Sequence, residues 1–224
     1  MNKTSKLLLL ITAAVLLPAV SWATIIFTLG NNPQPGEENV LLNKGETGPI
    51  VTGSTNQSHI GVNFLSPSGQ TLTIPANGQA RIEATSGGNQ VALGFITFAL
   101  ASGTFTDAIF NMHIGGTVGT SGATAEISAE DNLGNLSTFT TTLGNGENFV
   151  TVVASNGESL TFISIGYLTG FTDLRQVRIS GAGVAVPETG STLCLLFLSL
   201  VGVRSEEHTS NSSHSSPSRM PSSA

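Results

Sequence analysis

Between residues 24 and 183, apolar and polar positions alternate in short runs and never settle into a helical period. Ile60, Val62 and Phe64 alternate with Gly61 and Asn63, and Ala80, Ile82 and Ala84 alternate with Arg81 and Glu83. Each pattern predicts a strand with one buried face. Within residues 24–183, residues 91–100 are the most apolar stretch and predict a central strand. Residues 24–29, 105–114, 123–128, 136–143, 148–154, 160–165 and 174–180 continue the series. Asn77-Gly78, Asn145-Gly146 and Asn156-Gly157 read as hairpin turns, because both central residues tolerate positive φ. The expectation is an all-β fold: an antiparallel two-sheet sandwich, jelly-roll-like, with a closed barrel as the alternative. Strand order is not set by such a pattern. Only two apolar runs, one at each end of the chain, predict helices.

Composition supports strands. The chain has 26 Gly in 224 residues, and 10% of it is charged, against a usual share of about 25%. Its single cysteine, Cys194, excludes an intrachain disulfide. Stability must then come from core burial, with a metal ion as an added candidate. Between residues 24 and 183 the bases are Lys44, Arg81, Arg175 and Arg178, outnumbered by carboxylates from Glu37 to Asp173. That balance excludes a nucleic-acid partner, which needs a basic footprint.

The termini carry targeting signals. Lys3 and Lys6 precede an apolar run at 7–17, Pro18 breaks it, and Ser21-Trp22-Ala23 offers small residues for a signal peptidase. Residues 1–23 are therefore expected to be a signal peptide and 24–183 one β-sandwich domain. Val186-Pro187-Glu188 then leads through Gly190, Ser191 and Thr192 into an apolar run ending at Val203. This arrangement resembles the PEP-CTERM sorting signal of Gram-negative bacteria. Residues 171–181 and 78–82 also resemble stretches of domains found in front of that signal. The resemblance implies that Val186, Pro187 and Glu188 form a motif read by an exosortase. It implies transient inner-membrane anchoring through the C-terminal helix, then display on the cell surface or in the extracellular matrix. It assigns a destination and no activity.

The signal, at 184–203, is expected to be truncated. A helix over 193–203 would span about 16 Å, against a bilayer core of about 30 Å, and only Arg204 follows it before Ser205-Glu206-Glu207. Arg204-Ser205-Glu206-Glu207-His208-Thr209-Ser210 resembles the translation of a common sequencing adapter, and 218–224 match that adapter's distal constant part. Residues 204–224 are expected to be adapter-derived and without fixed structure.

Little in the domain suggests catalysis. There is no Gly-x-Ser-x-Gly elbow, and His59 and His113 fit no metal spacing. The expectation is a non-enzymatic, exported surface or matrix protein. The alternative is a carbohydrate-binding module, with extracellular polysaccharide as its partner. Tyr167, the sole tyrosine, is the candidate ligand platform, although a lone Tyr more often packs with its hydroxyl wet. The Phe residues read as core. Asn31, Asn32, Glu37 and Glu38 share one polar loop, and Asp173 opens the last strand. If first and last strands are neighbours, Asn31, Glu37, Glu38 and Asp173 form a candidate calcium site. Asp131-Asn132-x-Gly134-Asn135 resembles half of a calcium loop and reads better as a turn. Strict alternation places Arg175 on the face of Val177 and Ile179, where it would need a carboxylate partner. Phe105-Thr106-Asp107 and Phe171-Thr172-Asp173 match each other, too briefly to establish a repeat.

Overall fold

Runs rich in β-branched and aromatic residues lie between glycine-bearing turns, and each forms a strand. The computed structural model describes residues 25–183 except 79, 80 and 123. The first part of the chain holds β1 (Ile25–Leu29), β2 (Glu38–Leu42), β3 (Thr47–Gly48), β4 (Ile50–Thr55) and β5 (Gly61–Leu65). Then come β6 (Thr71–Thr73), β7 (Arg81–Ser86), β8 (Asn89–Val91), β9 (Leu93–Leu100) and β10 (Asp107–His113). The last are β11 (Thr124–Asp131), β12 (Leu136–Thr142), β13 (Phe149–Ala154), β14 (Leu160–Phe171) and β15 (Asp173–Ser180). The expected signal peptide, the sorting helix with Val186, Pro187 and Glu188, and the adapter-like end lie outside the described residues. Among the described residues no helix is long and apolar enough to cross a membrane.

One row of strands runs β7-β15-β10-β13, and a second runs β9-β14-β11-β12, with every pairing antiparallel. Consecutive strands of these two rows thus fall in alternate rows or pair as a hairpin. β1 extends the first row beyond β13. β5, β4 and β2 extend the second beyond β9, and β2 also pairs with β15. The two expected sheets are therefore one continuous antiparallel sheet, rolled until its halves face each other and nearly barrel-like. The roll is open between the edge strands β1 and β12. β3, β6 and β8 form a small sheet with β7.

Phe64, Phe98, Phe105, Phe110 and Phe171 fill the space between the rows and are fully buried. Phe98 of β9 meets Phe110 of β10 edge-on, with ring centroids 5.6 Å apart. At the open side Phe27 of β1 stacks on Phe139 of β12, also at 5.6 Å, with the rings 11° from parallel.

Two expectations about local geometry need correction. Asn145-Gly146 and Asn156-Gly157 are turns but not hairpins: they carry the chain from β12 to β13 and from β13 to β14, which occupy different rows. Strict alternation along β15 also fails. The β10–β15 register shifts between Ile109↔Arg178 and Asn111↔Arg175, and Gln176 takes φ 54°. This bulge inserts one residue. Leu174, Val177 and Ile179 point inward and are buried, whereas Arg175 and Arg178 share the outer face.

The matched tripeptides have equivalent places. Each leads into one strand of the antiparallel β10–β15 pair, at opposite ends of the ladder. Phe105 and Phe171 are both fully buried. Thr106 N–H donates to the Ser180 carbonyl at 2.9 Å, and Thr172 N–H to that of His113 at 2.8 Å. Each threonine packs on a positive-φ glycine, Gly181 and Gly119 respectively, where a Cβ would collide with it. The similarity records a local two-fold relation between strand entries.

Candidate functional site

The outer face of the second row is lined by alternate residues. Phe95, Gly166, Glu126 and Thr140 form one cross-strand rung. Thr97, Ser164, Ser128 and Thr138 form the next, linked by Thr97–Ser164 (2.8 Å) and Ser128–Thr138 (3.3 Å) hydroxyl hydrogen bonds. Phe162, Glu130 and Leu136 form a third.

At the first rung the surface opens into a cleft of about 650 Å³, lined by Ser68, Gln70, Phe95, Thr124, Glu126 and Tyr167 over Gly94 and Gly166. Its cause is an irregularity in β14. Gly166 pairs with Phe95, but the next partner of β9 is Phe171 with Leu93, so the chain between them bows away. Gln70 fixes one wall: its Nε2 donates to the Ala92 carbonyl at 2.9 Å, and its Oε1 accepts from Gly94 N–H at 3.0 Å.

Gly166 decides how the Phe95 ring lies. A Cβ on Gly166 would stand 3.0 Å from Phe95 Cε2 and 3.1 Å from Cδ2, so the missing side chain lets the ring lie along the β14 backbone. Phe95 is half-buried and outside the core cluster. Beside it Glu126 is exposed, and its carboxylate makes none of the described hydrogen bonds or ion pairs. The result is an apolar ring surface rimmed by acceptors and hydroxyls, a composition suited to a small polar ligand with apolar faces.

Tyr167 supports this cleft from behind and is not an open platform. It is 2% exposed, its hydroxyl donates to the Thr120 carbonyl, and its ring lies 6.4 Å from that of Phe171. Its phase along β14 directs it inward with Ile163 and Ile165. The ring that reaches the cleft is the half-buried Phe95, the cross-strand partner of Gly166 next to Tyr167. Expecting every Phe to be core concealed it. The usable signal was the phase of 93–100, which sets Phe95 opposite to Ile96 and Phe98.

The candidate calcium ligands do not converge. Arg178 takes the place expected for a cation, donating to Glu37 Oε2 at 2.9 Å and to Asn31 Oδ1. Glu38 turns away and accepts from Gln57 N–H (2.9 Å) and Ser58 N–H (2.7 Å). The Ser58 amide above all holds its carboxyl below the usual range, aided by Gln57 against some desolvation. Asp173 is at the other end of β15, paired through both oxygens with Arg175 at 2.5 and 2.6 Å. Arg178 lies five positions beyond Asp173 along β15, at most about 17 Å. Among the described residues no group of three His, Cys, Asp or Glu side chains could hold a metal ion. The ion pair expected of Arg175 is present, on the outer face. The hydrogen bond to Asp173 raises the Arg175 pKa further, and Arg175 Nη2 lies 3.0 Å from His113 Nδ1.

No family model and no curated protein matches the chain. Among solved structures it is similar to two mutant forms of CBM29-2, a family 29 carbohydrate-binding module. One has a TM-score of 0.28 and 12% identity, covering 71% of this chain and 92% of that one. The other has a TM-score of 0.25 and 13% identity, covering 71% and 87%. At these scores no residue is carried over from either.

Proposed function

We propose that this chain is a non-catalytic carbohydrate-binding β-domain, exported and displayed at the cell surface. The observation that carries the binding reading is the cleft in which the Phe95 ring lies along Gly166 beside Glu126. Sugars present apolar C–H faces edged by hydroxyls. A ring face and a free carboxylate within one cleft match both features. Glycoside hydrolysis requires two carboxyl groups flanking the bond, and Glu126 is the one carboxylate among the described residues lining the cleft. This supports binding without turnover.

The destination rests on the sequence alone: an N-terminal export signal, and Val186, Pro187 and Glu188 ahead of an apolar run. Replacing Pro187 and Glu188 with Ala is expected to leave the protein unprocessed and membrane-retained in a host that has an exosortase. Normal maturation of that variant would refute the sorting assignment.

The binding reading is tested with the full-length protein on a glycan array and by polysaccharide pull-down. Saturable binding is expected, weakened at least about tenfold, or about 1.4 kcal/mol, by Phe95→Ala. The variant should keep its thermal stability, because Phe95 is not a core residue. Undiminished binding by Phe95→Ala would remove the cleft from consideration.

A further inference from the structure

The face that holds the cleft has a second station and a one-sided charge. Phe162 on β14 is the direct cross-strand neighbour of Glu130 on β11. Such neighbours have Cβ atoms about 5 Å apart. Phe162 is half-buried and, like Phe95, outside the core cluster. Thr161 donates to Glu130 Oε1 at 3.4 Å, and the other carboxylate oxygen accepts none of the described hydrogen bonds. Glu126 and Glu130 are four residues apart on one face of β11, about 13 Å. A Phe-and-carboxylate pair therefore occurs twice along the strand direction, with the Thr97–Ser164–Ser128–Thr138 hydroxyl rung between.

The described bases are all elsewhere. Lys44 belongs to the segment between β2 and β3, Arg81 to β7, and Arg175 and Arg178 to the outer face of the first row. The outward residues of β5, β9, β14, β11 and β12 are Ser, Thr, Asn, Gly, Ala, Leu, Phe and these two glutamates. An anionic polymer would meet uncompensated repulsion here. A ring beside an unpaired carboxylate, by contrast, favours a ligand that carries ammonium groups next to apolar faces.

Resting on the carbohydrate reading, we infer that the ligand is an extended amino-sugar chain lying along β14 and β11. It stacks on Phe95 and Phe162 and sets its ammonium groups against Glu126 and Glu130. One sugar cannot touch both stations, so affinity must grow with chain length as the second contact becomes intramolecular.

The test titrates the full-length protein with a β-linked glucosamine hexamer, the corresponding dimer, the N-acetylated hexamer and a galacturonate hexamer. The glucosamine hexamer is expected to bind at least about tenfold tighter than its acetylated counterpart. That margin should shrink in 1 M salt, where the screening length falls to about 3 Å. Glu126→Gln and Glu130→Gln should each erode the margin, and Phe162→Ala should weaken the hexamer while leaving the dimer unchanged. Equal or tighter binding of the acetylated or galacturonate hexamer would overturn the amino-sugar inference and leave carbohydrate binding standing. Binding that does not grow from dimer to hexamer, or is indifferent to Phe162→Ala, would overturn the second station. No binding to any glycan of any charge would remove the carbohydrate reading itself.

Discussion

Two buried aspartates show how single side chains set the molecule's response to acid. Burial of Asp131 works against its charge, but hydrogen bonds from the Asn135 side chain and from the Asn135, Leu133 and Gly134 amides outweigh it. Its carboxyl is held below the usual range. Its contribution to stability is present above the ordinary carboxylate pKa, about 3.9, and is lost as pH falls through the lower folded value. Asp131→Ala should cost about 1–3 kcal/mol at neutral pH, since it strands the amides of Leu133 and Asn135. Urea unfolding measures this. Asp107 behaves oppositely. Desolvation raises its pKa, outweighing donors from Ser180 and Thr106, with Glu37 adding repulsion. A raised folded pKa means that the folded state binds the proton more tightly. Stability from this group therefore rises as pH falls from the folded value toward 3.9 and is forfeited above it. Asp107→Asn should remove that gain, so stability should fall more steeply on acidification than in the parent as pH drops from the raised folded value toward about 3.9. Asp131 was legible in the sequence, because an Asx-type turn follows from Asp and Asn spaced around Gly134. The partners of Asp107 were not. Ser180 is brought to it by the β10–β15 pairing, and no local pattern reveals that contact.

At the scale of single strands, periodicity told inward from outward except where an extra residue intervened. Gln176 is the informative case. A bulge leaves no compositional mark when the inserted residue is a glutamine, so alternation placed Arg175 inward and Arg178 outward, whereas both are outward. With Arg178 outward, Glu37 and Asn31 have a guanidinium to bind, and the loop between β1 and β2 is tied across the first row. Asn32 N–H adds a bond to Thr151 Oγ1 at 3.1 Å. Arg178→Met should therefore speed proteolysis within 30–37 more than elsewhere, which limited digestion followed by mass spectrometry reports. The bulge has its own signature. At φ 54° a β-branched residue is strained, so Gln176→Val should destabilise by about 1–3 kcal/mol. Gln176→Gly should stay within about 1 kcal/mol of the parent, exchanging backbone freedom for relieved strain. If thermal unfolding finds the two variants equal, the left-handed conformation at 176 is wrong. The same limit hid the cleft. Its floor at Gly166 and its aromatic wall at Phe95 lie in different strands, and only their register makes them one site.

For the molecule as a whole, the all-β class was legible from the density of short alternating runs, whereas the roll of the sheet was not. Alternation is the same in either row, and β10 takes β13 and β15 as neighbours through contacts far apart in the chain. The unrolled side is where this architecture is weakest. β1 has one ladder, to β13, and β12 one, to β11. Across the gap the Phe27–Phe139 stack bridges the two edges. Both rings are partly buried against the core, so each shields apolar neighbours as well as its partner. If the stack closes the roll, its two halves depend on one another. Phe27→Leu and Phe139→Leu should each destabilise, and the double variant should lose less than their sum, with a coupling of about 0.5–1.5 kcal/mol. Hydrogen exchange adds a spatial readout. Phe139→Leu, a change in β12, should accelerate exchange of the β1 amides while the β10 and β15 amides remain protected, because β1 would open as a local unit. Were β1 held by its ladder to β13 alone, the two substitutions would add without coupling and β1 exchange would ignore residue 139.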